Sequence, residues 1–192
     1  GEFADLTLAL DRYFGTNPHR SRMDVRDLRK ELGADKKHLA ALLSDAQDNG
    51  LVEILGGGWL RSCDHESSLS EDLEPKREAL LQALAKAGFQ PPICADLATA
   101  IGTSDSDFQV IVEYCQDQNE ARTIGEFVLS QASLDQAESS IIENCTKNTE
   151  LNIPELRDAL GTTRKYLIPL LEHFDLQGLT ARSAGTRILK RR

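Results

Sequence analysis

Three glycines, Gly33, Gly102 and Gly161, head a pattern that repeats every 60 to 70 residues and fixes what this chain can fold into. Eight, five and one residues before them stand Val25, Leu28 and Leu32; Cys94, Leu97 and Ile101; and Ile153, Leu156 and Leu160. Six, nine, ten and thirteen residues after them stand Leu39, Leu42, Leu43 and Ala46; Phe108, Ile111, Val112 and Cys115; and Leu167, Leu170, Leu171 and Phe174. Every position is apolar at the spacing of one helix face, so each repeat holds a short helix, a glycine-bearing turn and a longer helix. That arrangement is a helix-turn-helix, with second helices expected near 36–49, 104–118 and 163–176.

Each second helix leads into a pair of short β-rich stretches joined by glycine, at 51–55 and 59–61, 121–123 and 126–129, and 179–182 and 186–189. A further helical run precedes each unit, at 5–14, 76–87 and 133–147. Three helices and a hairpin make a winged helix. The expected fold is α+β, mostly α: a tandem array of three winged helices over 4–65, 66–130 and 131–192. About 60 residues is near the lower limit for independent stability, so the repeats are expected to support one another. The acidic, serine-rich HESSLSEDLEP (65–75) reads as the clearest linker, and the second junction, near 130–133, is very short.

Charge divides the repeats. The net charge of −9 hides an uneven distribution: residues 1–151 carry 14 Lys and Arg against 27 Asp and Glu, whereas residues 152–192 carry 8 against 4. A basic surface on an acidic body suits docking a polyanion at one place. Residues 66–130 hold 4 basic and 12 acidic residues, which marks a spacer, and residues 1–65 hold 9 and 11. In the third repeat, Thr162 or Thr163 is a natural N-cap, which places Arg164 and Lys165 in the first helical turn. Cations there oppose the helix dipole by about 0.3–1 kcal/mol each, an arrangement that makes sense if an anion binds at that end. The expected hairpin adds Arg182 and Arg187, Gly185 forms its turn, Lys190, Arg191 and Arg192 follow, and Arg157 lies on the preceding helix. Lys36 and Lys37 occupy the same frame positions as Arg164 and Lys165 in a repeat with no basic excess, so two cations at this turn do not by themselves make a site.

Other chemistry finds little support. Cys63, Cys94, Cys115 and Cys145 form no CxxC pair, so neither a metal site nor a disulfide framework is expected, and no cofactor is called for. The triple glycine at 56–58 precedes a strand and lacks GK[ST], which argues against a phosphate-cradling loop. His19, His38, His65 and His173 occur singly, without a nucleophile, base and orienting acid, so no catalytic residue is assigned. No stretch has the length or hydropathy of a membrane span or a signal peptide, and the chain reads as a cytoplasmic, monomeric binding fragment. Gly1-Glu2-Phe3 looks like a cloning remnant on a piece of a longer protein.

GTTRKYLIPLLEHFDLQGLTAR (161–182) resembles the closing winged helix of the bacterial selenocysteine-specific translation elongation factor family, SelB, where a GTSRKYA-LLEYLD-GVTRR type of sequence recurs. AGFQPPICADLATAIG (87–102) and NPHRSRMDVRDLRKELG (17–33) resemble the two winged helices before it. The resemblance implies the second, third and fourth of the family's four C-terminal winged helices, without its GTPase and tRNA-binding domains. It implies as partners an mRNA hairpin (the SECIS element) gripped by the last repeat and, through the full-length factor, the ribosome and selenocysteinyl-tRNA. In the family the start of the second helix and the wing read the hairpin, with a loop base extruded, as is usual for sequence reading in RNA. Carried over by position, RNA contacts fall on Thr163, Arg164, Lys165, Arg157, Arg182, Gly185 and Arg187. Tyr166 either stacks a base or packs beside Leu167. Ala181 stands where the family often has a second arginine, and Ser183-Ala184-Gly185 forms the wing turn. Two rival classes share the fold: a regulator binding duplex DNA through tandem winged helices, and a protein-assembly scaffold.

Overall fold

In the computed structural model, which describes residues 1–190, the three anchoring glycines share one conformation. Gly33, Gly102 and Gly161 have φ of 61°, 73° and 61° and end the helices α2 (Val25–Leu32), α5 (Cys94–Ile101) and α8 (Ile153–Leu160). The residue after each glycine donates its N–H back to the carbonyl of the fourth-last helical residue: Ala34 to Arg29, Thr103 to Ala98 and Thr162 to Arg157, at 3.3, 3.0 and 3.1 Å. This is the Schellman stop, which needs a left-handed residue and therefore favours glycine. The second helices follow as α3 (Lys36–Asp48), α6 (Asp105–Asp117) and α9 (Arg164–Leu176), and all twelve of their frame residues are buried.

The preceding helices are α1 (Glu2–Thr16), α4 (Glu74–Ala87) and α7 (Gln131–Asn148). The hairpins are β2 (Val52–Leu55) with β3 (Trp59–Ser62), β4 (Ala121–Ile124) with β5 (Phe127–Ser130), and β6 (Thr180–Ser183) with β7 (Thr186–Leu189). All are antiparallel. A two-residue strand, β1 (Met23–Asp24), pairs with β3 and makes the first sheet β1-β3-β2, which the sequence pattern did not announce. The result is a mixed α+β, mostly helical chain. Phe3, expected in a cloning remnant, lies in α1 and packs against the first core.

The chain divides into two compact units, Gly1–Ser70 and Glu71–Arg192. The break falls beyond the expected boundary at residue 65 because the early part of the acidic stretch is tied down. His65 stacks on Phe14 at 4.2 Å and bonds the Arg20 carbonyl at 2.7 Å, and the Ser68 N–H reaches the Pro18 carbonyl at 2.8 Å. The second and third repeats share one unit because Phe89, Ile124 and Leu129 of the second enter the core built on Leu156, Leu167 and Leu170 of the third. Among the described residues no helix is long and apolar enough to cross a membrane.

Candidate nucleic-acid interface

The start of α9 differs from those of its counterparts. Asp35 caps α3 by accepting from the His38 N–H at 2.8 Å, and Ser104 caps α6 by accepting from the Asp107 N–H, with Asp105 and Asp107 in the first turn. At α9 the N-cap is Thr163, whose side chain makes no capping bond, and the first turn holds no acidic residue. The other expected cap, Thr162, is buried and donates its hydroxyl to the Phe89 carbonyl at 2.7 Å. Arg164 and Lys165 are exposed there. An open helix N-terminus with two cations is a binding geometry for an anion, because amides, dipole and side chains attract the same charge. Lys165 also places Nζ 5.4 Å from the Tyr166 ring and 5.6 Å from the Phe127 ring. Tyr166 itself packs half-buried on Phe127, centroids 4.6 Å apart, a contact with the second repeat rather than within its own helix.

In the β6–β7 hairpin, Ser183 pairs with Thr186 across a two-residue turn in which Ala184 and Gly185 have φ of 48° and 80°. Positive φ at both central residues makes it a type I′ turn, whose twist suits a tight hairpin. Arg182 is exposed, directly opposite Arg187 in the register. Arg187 requires a correction: it is only 6% exposed, and its Nε donates to Asp175 Oδ2 at 3.0 Å, while Thr180 Oγ1 donates to Asp175 Oδ1 at 2.6 Å. Asp175 on α9 draws the guanidinium inward, so this arginine fastens the hairpin to the helix and is not on the open surface. Arg157 is half-buried, 3.8 Å from Asp158, and Lys190 is exposed. The further basic residues Arg191 and Arg192 lie outside the described residues.

The β4–β5 hairpin runs along one flank of α9. A Cβ on Gly125 would stand 3.0 Å from Pro169, Phe127 covers Tyr166, and Arg122 and His173 line a polar cleft of about 300 Å³ with Asp135 and Glu138. Burial, with Arg122 adding to it, holds the His173 imidazole below its usual range. At 3.6 residues per turn, Tyr166, Pro169 and His173 form one stripe. The uncovered stripe beside it carries Lys165, Glu172 and Leu176, all exposed. A duplex reader lays this face in the major groove, and here it is crowded by a neighbouring hairpin and carries a carboxylate.

The first repeat keeps Lys36 and Lys37 exposed, but the Asp35 carboxylate already accepts from the His38 N–H at the start of α3. Four of its other cations are engaged internally: Arg26 with Asp24 at 2.8 Å, Arg61 with Glu53 at 2.7 Å, Arg12 with Glu31, and Arg22 over the Trp59 ring at 4.0 Å. Among the described residues no cluster of three or more His, Cys, Asp or Glu side chains could hold a metal ion.

Comparison with known proteins points the same way. Residues 143–189 match the family described as elongation factor SelB, winged helix. The selenocysteine-specific elongation factor of Desulfomicrobium baculatum is 24% identical over 140 residues, covering 72% of this chain and 22% of that protein, so the chain spans about a fifth of that relative's length. Two solved structures share the fold. The mRNA-binding domain of elongation factor SelB from E. coli, in complex with SECIS RNA, superposes with a TM-score of 0.52 at 22% identity, covering 62% of this chain and 99% of that one. A bacterial selenocysteine-specific elongation factor, EF-Sec, gives a TM-score of 0.51 at 21% identity, covering 100% of this chain and 30% of that one. Residues 143–189 are thus similar to the SelB winged-helix family, and the chain is similar to part of a selenocysteine-specific elongation factor.

Proposed function

We propose that this chain is a tandem of three winged helices, 4–65, 66–130 and 131–192, whose last member binds an mRNA hairpin of the SECIS kind. Through a full-length factor in the cytoplasm, that grip would hold the GTP-binding part, with selenocysteinyl-tRNA, at the ribosome for recoding of UGA. The chain's own task is binding and needs no cofactor. One observation carries the reading: α9 opens an uncapped N-terminus with Arg164 and Lys165, while β4–β5 lies along its flank. Contacts are thus directed to the helix start and to Arg182 on the wing, which suits a folded RNA with a splayed loop better than a duplex groove. The duplex-DNA reading lacks both a clear α9 face and a second basic repeat. The scaffold reading lacks a contiguous apolar patch on α9, where Leu176 stands exposed beside Glu172.

The test is competition binding of a SECIS-type hairpin against the same stem with one loop base changed, an unrelated hairpin and duplex DNA. Loss of the loop base is expected to weaken binding by more than about 1 kcal/mol, since an unstacked base carries the specificity. Replacing Arg164 and Lys165 together by alanine is expected to lower the magnitude of the log K against log salt slope by about 1.4, at roughly 0.7 per single-strand phosphate contact. Equal affinity for all four nucleic acids would leave only a generic basic winged helix.

A further inference from the structure

The turn that launches α9 is held by residues of another repeat. Thr162 Oγ1 donates to the Phe89 carbonyl at 2.7 Å, and Gln90 Nε2 donates to the Gly161 carbonyl at 2.8 Å. Phe89 is itself buried in the third-repeat core. The two residues immediately before the α9 N-cap are therefore fixed by a segment more than seventy positions earlier. Beyond the cap, Phe127 holds Tyr166 and attracts Lys165 to its ring.

The helix-turn-helix does not need these bonds for its own sake. The equivalent of Thr162 in the second repeat is Thr103, whose hydroxyl is buried without a partner, and in the first repeat it is Ala34. The threonine hydroxyl in the third repeat is thus specific to its contact with the second. Charge-assisted contacts to an anion fall off when the donors shift by about half an ångström, so a support at the turn acts directly on the donors at Arg164 and Lys165. Ordering that turn before the ligand arrives also removes an entropic cost from binding.

We infer that the second repeat is a fixed part of the RNA-reading head, with Thr162 and Gln90 as positioning residues that aim the open end of α9. The inference rests on the RNA-binding reading above and gives the acidic second repeat a role beyond that of a spacer.

The experiment uses the full chain and a SECIS-type hairpin, with Thr162→Val, Thr162→Ser and Gln90→Ala. Valine keeps the volume and removes the donor; serine keeps the donor. Thr162→Val and Gln90→Ala are each expected to weaken binding about five- to tenfold, and Thr162→Ser to stay within about twofold of the parent. A double-mutant cycle supplies the readout that loss of stability alone would not move: Arg164→Ala should cost less in the Thr162→Val background than in the parent, because a misaimed cation has less to lose. Should Thr162→Val fail to fold, Gln90→Ala, at an exposed side chain, carries the test with its own Arg164→Ala cycle. Parent-like affinity in the folded variants, or strictly additive effects with Arg164→Ala, would overturn the inference while leaving the RNA reading intact. A parent chain with no preference for the hairpin would remove the RNA reading, and this inference with it.

Discussion

Replacing Asp175 and Arg187 one at a time separates the fastening of the wing from the RNA binding proposed above. Asp175→Asn removes the charge facing a guanidinium that is only 6% exposed and whose Nη2 already lacks a partner. Breaking one side of a buried pair costs about 3–5 kcal/mol; the Asp175 side chain retains 23% exposure, which places this loss near the lower end, about 3 kcal/mol. For a unit of this size each kcal/mol moves the melting temperature by about 3–4 °C, so a drop of about 10 °C is expected. Arg187→Met keeps the apolar stem and deletes both the charge and the unpartnered nitrogen, while Asp175 keeps Thr180; its cost is expected at about 1 kcal/mol. Thermal denaturation by circular dichroism reads both. In hairpin titrations across salt, Arg187→Met should leave the slope unchanged, whereas Arg182→Ala should reduce its magnitude by about 0.7. A slope reduced equally by the two substitutions would return Arg187 to the RNA surface. Asp175→Asn no more damaging than Arg187→Met would refute the view that the pair is a buried strut.

Ala184 holds φ of 48° at the wing tip before Gly185, so Ala184→Asn, which creates the Asn-Gly pair favoured in type I′ turns, should raise stability by about 0.5–1 kcal/mol; an unchanged or lower melting temperature would contradict the turn assignment. Brief alkylation at pH 8 followed by mass spectrometry should label the exposed Cys63 first and spare Cys115, whose thiol burial pushes up to about 12; early labelling of Cys115 would contradict its burial. His173, held below its usual value of 6.5 by burial, resists a proton that the unfolded chain accepts, so its contribution is complete above that value and is lost as pH falls below it. His173→Gln should narrow the gap between urea midpoints at pH 7.5 and 5.5, and an unaltered gap would refute the assignment.

The repeat was legible because its signals are local: an apolar face, a left-handed stop and a glycine turn each lie within one helix or hairpin. A further copy of that signal sits seventeen residues after each anchoring glycine. Gly50, Asn119 and Gly178 all have positive φ and end the second helices with the same backward bond, from Leu51, Glu120 and Leu179. Asparagine, which tolerates this conformation, hid the middle one. Strand β1 was too short to carry any periodicity. The fate of Arg187 was not legible, because nothing in the order of residues pairs it with an aspartate twelve positions away. The union of the second and third repeats did leave a trace. Phe127, Val128 and Leu129 run apolar without alternation, and all three are buried, as expected of a hairpin covered on both faces. The place of Arg164 and Lys165 at a helix start followed from the turn; the missing cap did not, since Thr162 spends its hydroxyl on a carbonyl from another repeat.

The hairpin lying along α9 also bears on the search for a target. A basic winged helix with a clear groove face can slide along any duplex, and in a crowded pool of nucleic acid most of its copies are held at wrong sites. With Gly125 against Pro169 and Glu172 on the uncovered stripe, side-on encounters with a duplex are expected to find no seat and to be short-lived. Under the proposed RNA-binding function, competing duplex would then lengthen the search for a hairpin very little.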